Sequence, residues 1–344
     1  YGVLDWLNEI ENNNKLIVIL GQTASGKTDL SIKLAKKLGG VEIVSADSRQ
    51  VYKGLNVGSG KITRKEMAGI PHHLLDVANP KKRFSVSQYQ KLATQAIKKI
   101  HAKNKTPFLV GGTGFYIQSV VDGISIPEVS PNPKLRKQLE KKSTQELFLM
   151  LKKLDPARAK NIDAKNPVRL IRAIEINLET GSPVPKLSRE ALAKWDVLQI
   201  GIKKSPKELK ILIQKRLKKR IKGIILEVQS LHSNRRLTQI QRGLTRIRKS
   251  PSSLRAKRGN PGLSWKRLEE LGLEYKFVAQ YIQNKISYQE MVDKIQKESE
   301  QFAKRQMTWF SAHGGSASGG KRDSRIHWVK NQQQAEKLIK KFLS

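Results

Sequence analysis

Residues Lys15 to Thr28 read KLIVILGQTASGKT. The apolar run Leu16 to Leu20 has the form of a short buried strand, and a glycine-rich turn follows it directly before a helix opens at Thr28. The turn fits G-x-x-x-x-G-K-[ST], with Gly21, Gly26, Lys27 and Thr28 in the fixed positions. Gly21 and Gly26 permit backbone conformations that a Cβ would forbid, so the N–H groups of Gln22, Thr23, Ala24 and Ser25 can turn towards one anion. The helix adds its unpaired N-terminal N–H groups and positive dipole end. Lys27 brings a mobile charge for a terminal phosphate, and the Thr28 hydroxyl is placed to ligate Mg²⁺. Phosphate binding is therefore expected. Whether the ligand is a nucleotide or another diphosphate stays open at this point.

The strand–helix alternation continues outward from this turn. Leu30, Leu34, Ala35 and Leu38 line one face of the helix, which ends at Gly39-Gly40. VEIVSA (Val41 to Ala46) is a second buried strand, and Asp47-Ser48-Arg49-Gln50 stands at its carboxyl end. Ligands in open α/β sheets gather at carboxyl ends, so Asp47 should face the same crevice as the phosphate loop. His72 and His73 fall in a loop-rich stretch. As neighbours in sequence they point different ways, make a poor metal pair and are read as structural. Ser85 and Gln88 form a capping box for the next helix. PFLVGG (Pro107 to Gly112) is a third strand, with Thr113 at its tip beside glycines.

The alternation stops near Ser125. Pro127 to Pro133 is a proline-rich hinge, and a basic helical block runs on to about Trp195. In that block Asn166-Pro167 caps a helix carrying Arg169 and Arg172 on one face. Asp196 to Ile202 returns to strand, and Ser205 opens a long helix with Arg216 and Arg220 on its polar side. His232 to Pro261 holds nine Lys/Arg and no Asp/Glu, without sustained periodicity. Leu263 to Ser344 is helical again apart from a Gly/Ser linker at Ser311 to Gly320. The expected organisation is an N-terminal extension (1–14), the first part of an α/β core (15–128), a helical insertion domain (129–195), and core continuation with C-terminal helices (196–344). Flexible insertions are expected at 232–261 and 311–320.

Composition narrows the partners. Across 344 residues, 67 Lys+Arg against 29 Asp+Glu give a formal charge of +38. Counterion release rewards such a surface for neutralising phosphates, which points to nucleic acid. The absence of cysteine excludes disulfides, thiolate catalysis and zinc fingers. No apolar run approaches the ~20 residues that span a bilayer. The opening residues show no secretory signal pattern, so a cytoplasmic protein with no membrane association is expected. The sequence begins at Tyr1 rather than Met, and its true start is expected upstream.

Seven segments, taken together, carry a resemblance: GQTASGKT, SADSRQVYKGLNVGSGK, PHHLLD, FLVGGTGFY, NPVRLIRA, LSWKRLEELGLEYKF and FAKRQMTWF. Their combination resembles the bacterial tRNA isopentenyltransferase (tRNA dimethylallyltransferase) family over most of Lys15 to Trp328. The resemblance implies an α/β fold, a P-loop NTPase-like parallel sheet core flanked by helices, with a helical insertion domain that closes on the anticodon stem. It implies transfer of a dimethylallyl group from dimethylallyl diphosphate to the N6 amine of the adenosine 3′ of the anticodon, in tRNAs reading codons that begin with U. By the same resemblance, Gly21 to Thr28 hold the donor diphosphate with Arg216 and Arg220, Asp47 is the general base, and Thr113 contacts substrate near the reacting atoms. Lys27, with Mg²⁺ on Thr28, would stabilise the leaving group.

The residues matching the family's tRNA contacts are Asp47, Ser48, Arg49, Gln50, Thr113, Arg136, Val168, Arg169, Leu170, Ile171, Arg172, Lys276, Lys304, Arg305 and Gln306. Of these, Leu170 and Ile171 also suit a helix core. The implied partners are a tRNA anticodon stem-loop and the prenyl donor, and the protein is expected to be a monomer. The competing readings are a P-loop small-molecule kinase, a cytokinin-type adenylate prenyltransferase, and an RNA-binding module with a vestigial loop. The charge and the C-terminal segments favour the tRNA enzyme.

Overall fold

The computed structural model of the chain describes residues 14–124, 127, 129–184, 195–233, 262–313 and 325–344. The extension at 1–13 and most of the two proposed insertions lie outside the described residues. The chain divides into two compact units, one of residues 1–121 and 193–344 and the other of residues 122–192.

The larger unit is a six-stranded parallel sheet with helices. Its strands are β1 (Lys15–Gly21), β2 (Val41–Ala46), β3 (His72–His73), β4 (Thr106–Gly111), β5 (Asp196–Ile202) and β6 (Ile326–Val329), in the spatial order β3-β2-β4-β1-β5-β6. Every pairing is parallel. Strand β1 is central, and Leu16 to Leu20 are almost wholly buried. A strand covered on both faces has no polar side to show, which is why its sequence does not alternate.

Helices α1 (Lys27–Leu38), α2 (Arg64–Met67), α3 (Val86–His101) and α4 (Gly114–Val121) follow the first strands. Ser85 accepts from the Gln88 N–H while Gln88 returns the bond, so the expected capping box opens α3. Two apolar clusters lie on the two sides of the sheet. One gathers Leu16, Val18 and Leu20 with α3 and α4 residues such as Ile97 and Ile117, and the other gathers Ile17 and Ile19 with Leu34 of α1. Their alternating membership follows from the two-residue period of the strand.

The smaller unit holds α5 (Pro133–Leu139), α6 (Thr144–Leu154), α7 (Pro156–Ala159) and α8 (Pro167–Thr180). Its own core is Leu139, Leu147, Leu151, Leu170 and Ile174. This unit begins at Asp122, ahead of the proline-rich hinge. The chain then continues through α9 (Pro206–Ser233), α10 (Trp265–Glu270), α11 (Leu273–Ile282), α12 (Tyr288–His313) and α13 (Gln332–Leu343).

Four sequence expectations need correction. His72 and His73 form an edge strand on β2 rather than a loop. Nε2 of His73 lies 2.7 Å from Glu42. Burial alone would raise the Glu42 carboxyl, but bonds from Lys105, His73 and Lys103 hold it down at about 2. Ile326–Val329 is a strand paired with β5, in a stretch whose sequence predicts helix. The first insertion cannot begin at His232: α9 runs to Ser233, and His232 stacks on Trp265 with ring centroids 3.6 Å apart. The Leu263 N–H donates to Leu231 at 2.8 Å, so the chain leaves and rejoins the fold at neighbouring points. Likewise α12 extends through His313, past the expected linker start at Ser311.

Candidate active site

The sheet order places β4 and β5 on either side of β1, with β2 beyond β4. Successive connections leave the centre in opposite directions, which opens a crevice at the carboxyl ends of these strands. The phosphate loop occupies it. A Cβ on Gly21 would stand 2.4 Å from the Ile202 carbonyl oxygen, so β5 can lie this close only to glycine. Gly26 caps α1 at φ 92°, a left-handed conformation that costs a side-chain-bearing residue energy.

Inside the loop, the Ser25 hydroxyl is buried and has no hydrogen-bond partner. A buried orphan hydroxyl in this loop suits an anion ligand. Of the four N–H groups expected to turn to one anion, however, that of Ser25 is taken by the Gln22 carbonyl at 3.3 Å and that of Thr23 by Gln306. The Lys27 ammonium donates to the Gln22 carbonyl at 2.5 Å. Burial lowers its pKa to about 8; Asp47 pulls it back up and Arg216 pushes it further down. Lys27 and Asp47 are thus within electrostatic reach of each other.

The tips of β2 and β4 are tied together. The Thr113 N–H donates to the Ala46 carbonyl at 3.1 Å, and the Ser48 N–H donates to Thr113 Oγ1 at 3.0 Å. Asp47 Oδ1 accepts the N–H groups of Arg49 at 2.8 Å and Gln50 at 3.3 Å, which fixes the carboxylate at the head of that turn. Gln50 itself is spent on structure, with Nε2 donating to the Gly60 carbonyl at 3.2 Å. Arg49 is exposed, and its guanidinium reaches the Glu270 carbonyl at 3.4 Å.

Arg216 and Arg220 of α9 face the loop. Arg216 donates to Thr23 Oγ1 at 3.3 Å and Arg220 to the Gly58 carbonyl at 3.0 Å. Burial lowers the Arg220 guanidinium to about 10, and neighbouring Arg216 adds to this. Both line a cleft of about 350 Å³, including its open mouth, with Thr23 and Ala24 on one side and Ile213, Leu217, Ile224 and Ile295 as an apolar wall. Glu274 also lines it, its carboxyl raised by burial despite the two arginines. Sequence reasoning held Glu274 only as part of a run, Leu271 to Lys276, matching tRNA contacts, and missed its place in the cleft and this wall. The helical period of Ile213, Leu217 and Ile224 was legible, but it reads as core packing.

No group of three or more His, Asp or Glu side chains among the described residues could hold a metal. Thr28 is exposed at the start of α1 and offers a single hydroxyl. That fits Mg²⁺, which keeps several waters and takes its other ligands from phosphate oxygens.

The residues expected to meet tRNA divide into two sets. Arg169, Val168, Lys276, Lys304 and Arg305 are exposed. At the strand tips Arg49 is exposed as well, beside Asp47, Ser48, Gln50 and Thr113, whereas Leu170, Ile171, Arg136, Arg172 and Gln306 need correction. Leu170 and Ile171 are 0% and 8% exposed in the helical unit's core, so their side chains cannot meet a ligand. Arg136 and Arg172 are held by Glu175: Arg136 Nε and Nη2 lie 2.8 and 2.6 Å from its oxygens, and Arg172 Nη1 lies at 2.6 Å. Burial would raise the Glu175 carboxyl, but these guanidiniums and the Asn132 N–H hold it below its ordinary value. Gln306 is buried as a bridge. Its carbonyl accepts the Thr23 N–H at 2.8 Å, while its amide donates to the Gly112 carbonyl at 2.8 Å. It joins the tips of β1 and β4 and has no free edge to offer RNA.

Known proteins are similar to this chain over most of its length. A family model described as IPP transferase matches residues 50–313. The chain is 39% identical over 323 residues to tRNA dimethylallyltransferase 2 of Shewanella sediminis, covering 92% of this chain and 93% of that protein. It is 35% identical over 341 residues to tRNA dimethylallyltransferase of Carboxydothermus hydrogenoformans, covering 96% and 97%. Its fold is similar to the solved tRNA isopentenylpyrophosphate transferase of Bacillus halodurans, with a TM-score of 0.61, 32% identity, and 96% and 97% of the two chains covered. A eukaryotic dimethylallyltransferase, solved in the act of modifying tRNA, shares the fold at TM-score 0.69 with 22% identity, covering 96% of this chain and 79% of that one. With phosphate loop, Asp47 turn and Thr113 tip assembled on one sheet edge, and with matches of this extent, the chain belongs to the IPP transferase family.

Proposed function

We propose that this enzyme transfers a dimethylallyl group from dimethylallyl diphosphate to the N6 amine of the adenosine 3′ of the anticodon in tRNA. One observation carries the reading: the Asp47 carboxylate is fixed by the Arg49 and Gln50 N–H groups at the carboxyl end of β2, the same end of the parallel sheet at which the phosphate loop follows β1. A base beside an anion cradle is what alkylation of a weakly nucleophilic amine by a diphosphate ester requires.

In this reading the loop N–H groups not already bonded within the protein, the Ser25 hydroxyl, Lys27, Arg216 and Arg220 hold the donor diphosphate, and the apolar wall of α9 and α12 receives the five-carbon chain. The bond from the allylic carbon to its bridging oxygen breaks, and a bond from that carbon to N6 forms. The amine proton passes to Asp47, and diphosphate leaves with the electron pair. Thr28 would hold Mg²⁺, which would supply charge neutralisation for the leaving diphosphate. Thr113 holds the Asp47 turn and faces the target base. Such a base is unreactive in the stack, so it must be extruded from the anticodon loop into the crevice. The strongly basic surface, including Arg169, Lys276, Lys304 and Arg305, engages the phosphate backbone. The enzyme acts as a monomer in the cytoplasm.

Incubation with Mg²⁺, radiolabelled dimethylallyl diphosphate and total tRNA tests this. Label should enter tRNA, and Asp47→Ala should slow its transfer by about 10²–10⁴-fold. Label appearing only in free adenylate would instead identify a cytokinin-type enzyme. Phosphate moving from ATP without prenyl transfer would identify a kinase.

A further inference from the structure

The segment SADSRQVYKGLNVGSGK ends in a loop, Asn56 to Gly60, that the chemistry above leaves without a role. Its backbone is gathered onto one buried carboxylate. Glu227 of α9 is 3% exposed. Its Oε1 accepts the N–H groups of Asn56 at 2.6 Å and Val57 at 2.8 Å, and its Oε2 accepts that of Gly58 at 2.8 Å. The Tyr275 hydroxyl donates to the same Oε2 at 2.9 Å and accepts the Ser59 N–H at 3.1 Å. A carboxylate this deep is tolerable only with both oxygens satisfied, and here four donors satisfy them.

The other side of the loop meets the arginines. The Gly58 carbonyl accepts from Arg220 at 3.0 Å. At Gly60 (φ 64°) a Cβ would lie 1.9 Å from Arg216 Nη2, and at Gly58 a Cβ would lie 2.4 Å from Tyr275 Cζ. The two glycines of VGSG are therefore the places where the loop is pressed between Tyr275 and the guanidiniums. Arg216, Arg220 and Glu227 stand four and seven residues apart, on one face of one helix. The loop lies along that face with N–H groups on the carboxylate and a carbonyl on Arg220.

We propose that Glu227, with Tyr275, clamps the Asn56–Gly60 loop and through it sets the pose of Arg216 and Arg220 towards the donor diphosphate. Glu227 is a positioning residue: it touches neither donor nor tRNA, and it acts through the loop. The assignment rests on the reading of the cleft as a diphosphate site. It does not depend on what the diphosphate carries.

The test is calorimetric titration of the full chain with inorganic diphosphate in Mg²⁺, comparing wild type, Glu227→Gln, Arg220→Ala and the double variant. Glu227→Gln keeps the side-chain shape but turns an amide donor towards backbone N–H groups. It should raise the Kd about tenfold, and in the Arg220→Ala background it should add less than about twofold. An unchanged Kd, or the same factor in both backgrounds, would overturn the clamp, because a merely structural glutamate would act additively. Should Glu227→Gln lower the melting temperature too far to titrate, Tyr275→Phe preserves the ring packing. It should raise the Kd about threefold, again dependent on Arg220, and an unchanged Kd would count against the clamp. Prenyl transfer to tRNA by the wild type is measured separately. A wild type that binds diphosphate but transfers nothing refutes the functional reading, while an active wild type with a silent Glu227→Gln refutes the clamp.

Discussion

Arg216 and Arg220 in the α/β unit, and Arg136 and Arg172 in the helical unit, look alike in the sequence. Each set sits on helices of a basic protein, and each has a buried glutamate close by. The structure separates them by where that glutamate spends its oxygens. Glu175 spends them on the guanidiniums themselves, so Arg136 and Arg172 are both paired and share one compensating charge. Glu227 spends them on backbone N–H groups and a phenol, and leaves Arg216 and Arg220 with a hydroxyl and a carbonyl as partners. Burial, with Arg216 beside it, lowers the Arg220 guanidinium to about 10, as suits a charge with no paired carboxylate. An arginine prepared for an anion is recognised by what its neighbouring carboxylate is doing instead.

The widest break in this comparison should come from removing the under-compensated pair. Arg216→Ala with Arg220→Ala should weaken inorganic diphosphate binding by about 10³-fold, on the order of 4 kcal/mol, since each loses a charge-assisted bond. Thermal melting should move little. The converse change, Glu175→Ala, should leave diphosphate binding intact and destabilise the helical unit by about 3 kcal/mol, because two guanidiniums lose their buried partner. Urea unfolding followed alongside calorimetry distinguishes the two. The Glu175 contribution also has a definite pH sense. Its folded-state value is lowered, so the stability is present above the ordinary glutamate range and is lost as pH falls through the folded value.

A smaller effect should appear on the alkaline side. Lys27 is lowered to about 8, so the free protein loses its loop ammonium as pH rises through that value. Diphosphate needs the charged form, so affinity should fall about tenfold between pH 7 and pH 9. Lys27→Arg stays charged across that range and should flatten the profile. Stability runs the other way. Ionised Lys27 is disfavoured by folding, so this cost fades as pH rises from 8 towards the unfolded value. A wild-type binding profile flat to pH 9 would place Lys27 away from the anion.

Much of this was legible in the sequence, for identifiable reasons. Strands β1, β2, β4 and β5 are buried in a parallel sheet and read as short, mostly apolar runs, and the loop after β1 carries its own glycine spacing. The edge strands were not legible. His72–His73 has two residues, and Ile326–Val329 buries only its ends, so neither offers a pattern long enough to read. At the site, the motifs located Lys27, Asp47 and Thr113 at strand tips but could not tell contact from scaffold. Gln306 lies between exposed Lys304, Arg305 and Thr308, and only the fold turns it inward to Thr23 and Gly112. Glu227 was invisible for a different reason. Its partners lie about 170 residues away in Asn56 to Gly58 and 48 away in Tyr275, and no local spacing records such a bond.

The finest form of the comparison lies within a single helix. Arg169 and Arg172 are three apart on α8, and the sequence assigns both to a phosphate backbone. Arg172 Nη1 and Nη2 are bound to Glu175 and to the Val129 carbonyl, whereas Arg169 is exposed with no ion-pair partner among the described residues. A cation already matched by a fixed carboxylate releases few counterions when RNA arrives, while a free one releases nearly its full share. Arg169→Ala should therefore lower the slope of log affinity for tRNA against log salt by about one, at a cost of under about 1 kcal/mol at moderate salt. Arg172→Ala should lower the unfolding midpoint and leave that slope unchanged. Equal slope changes for both would mean that the Glu175 pairing opens when tRNA binds, and the division between compensated and available arginines would then hold only for the free enzyme.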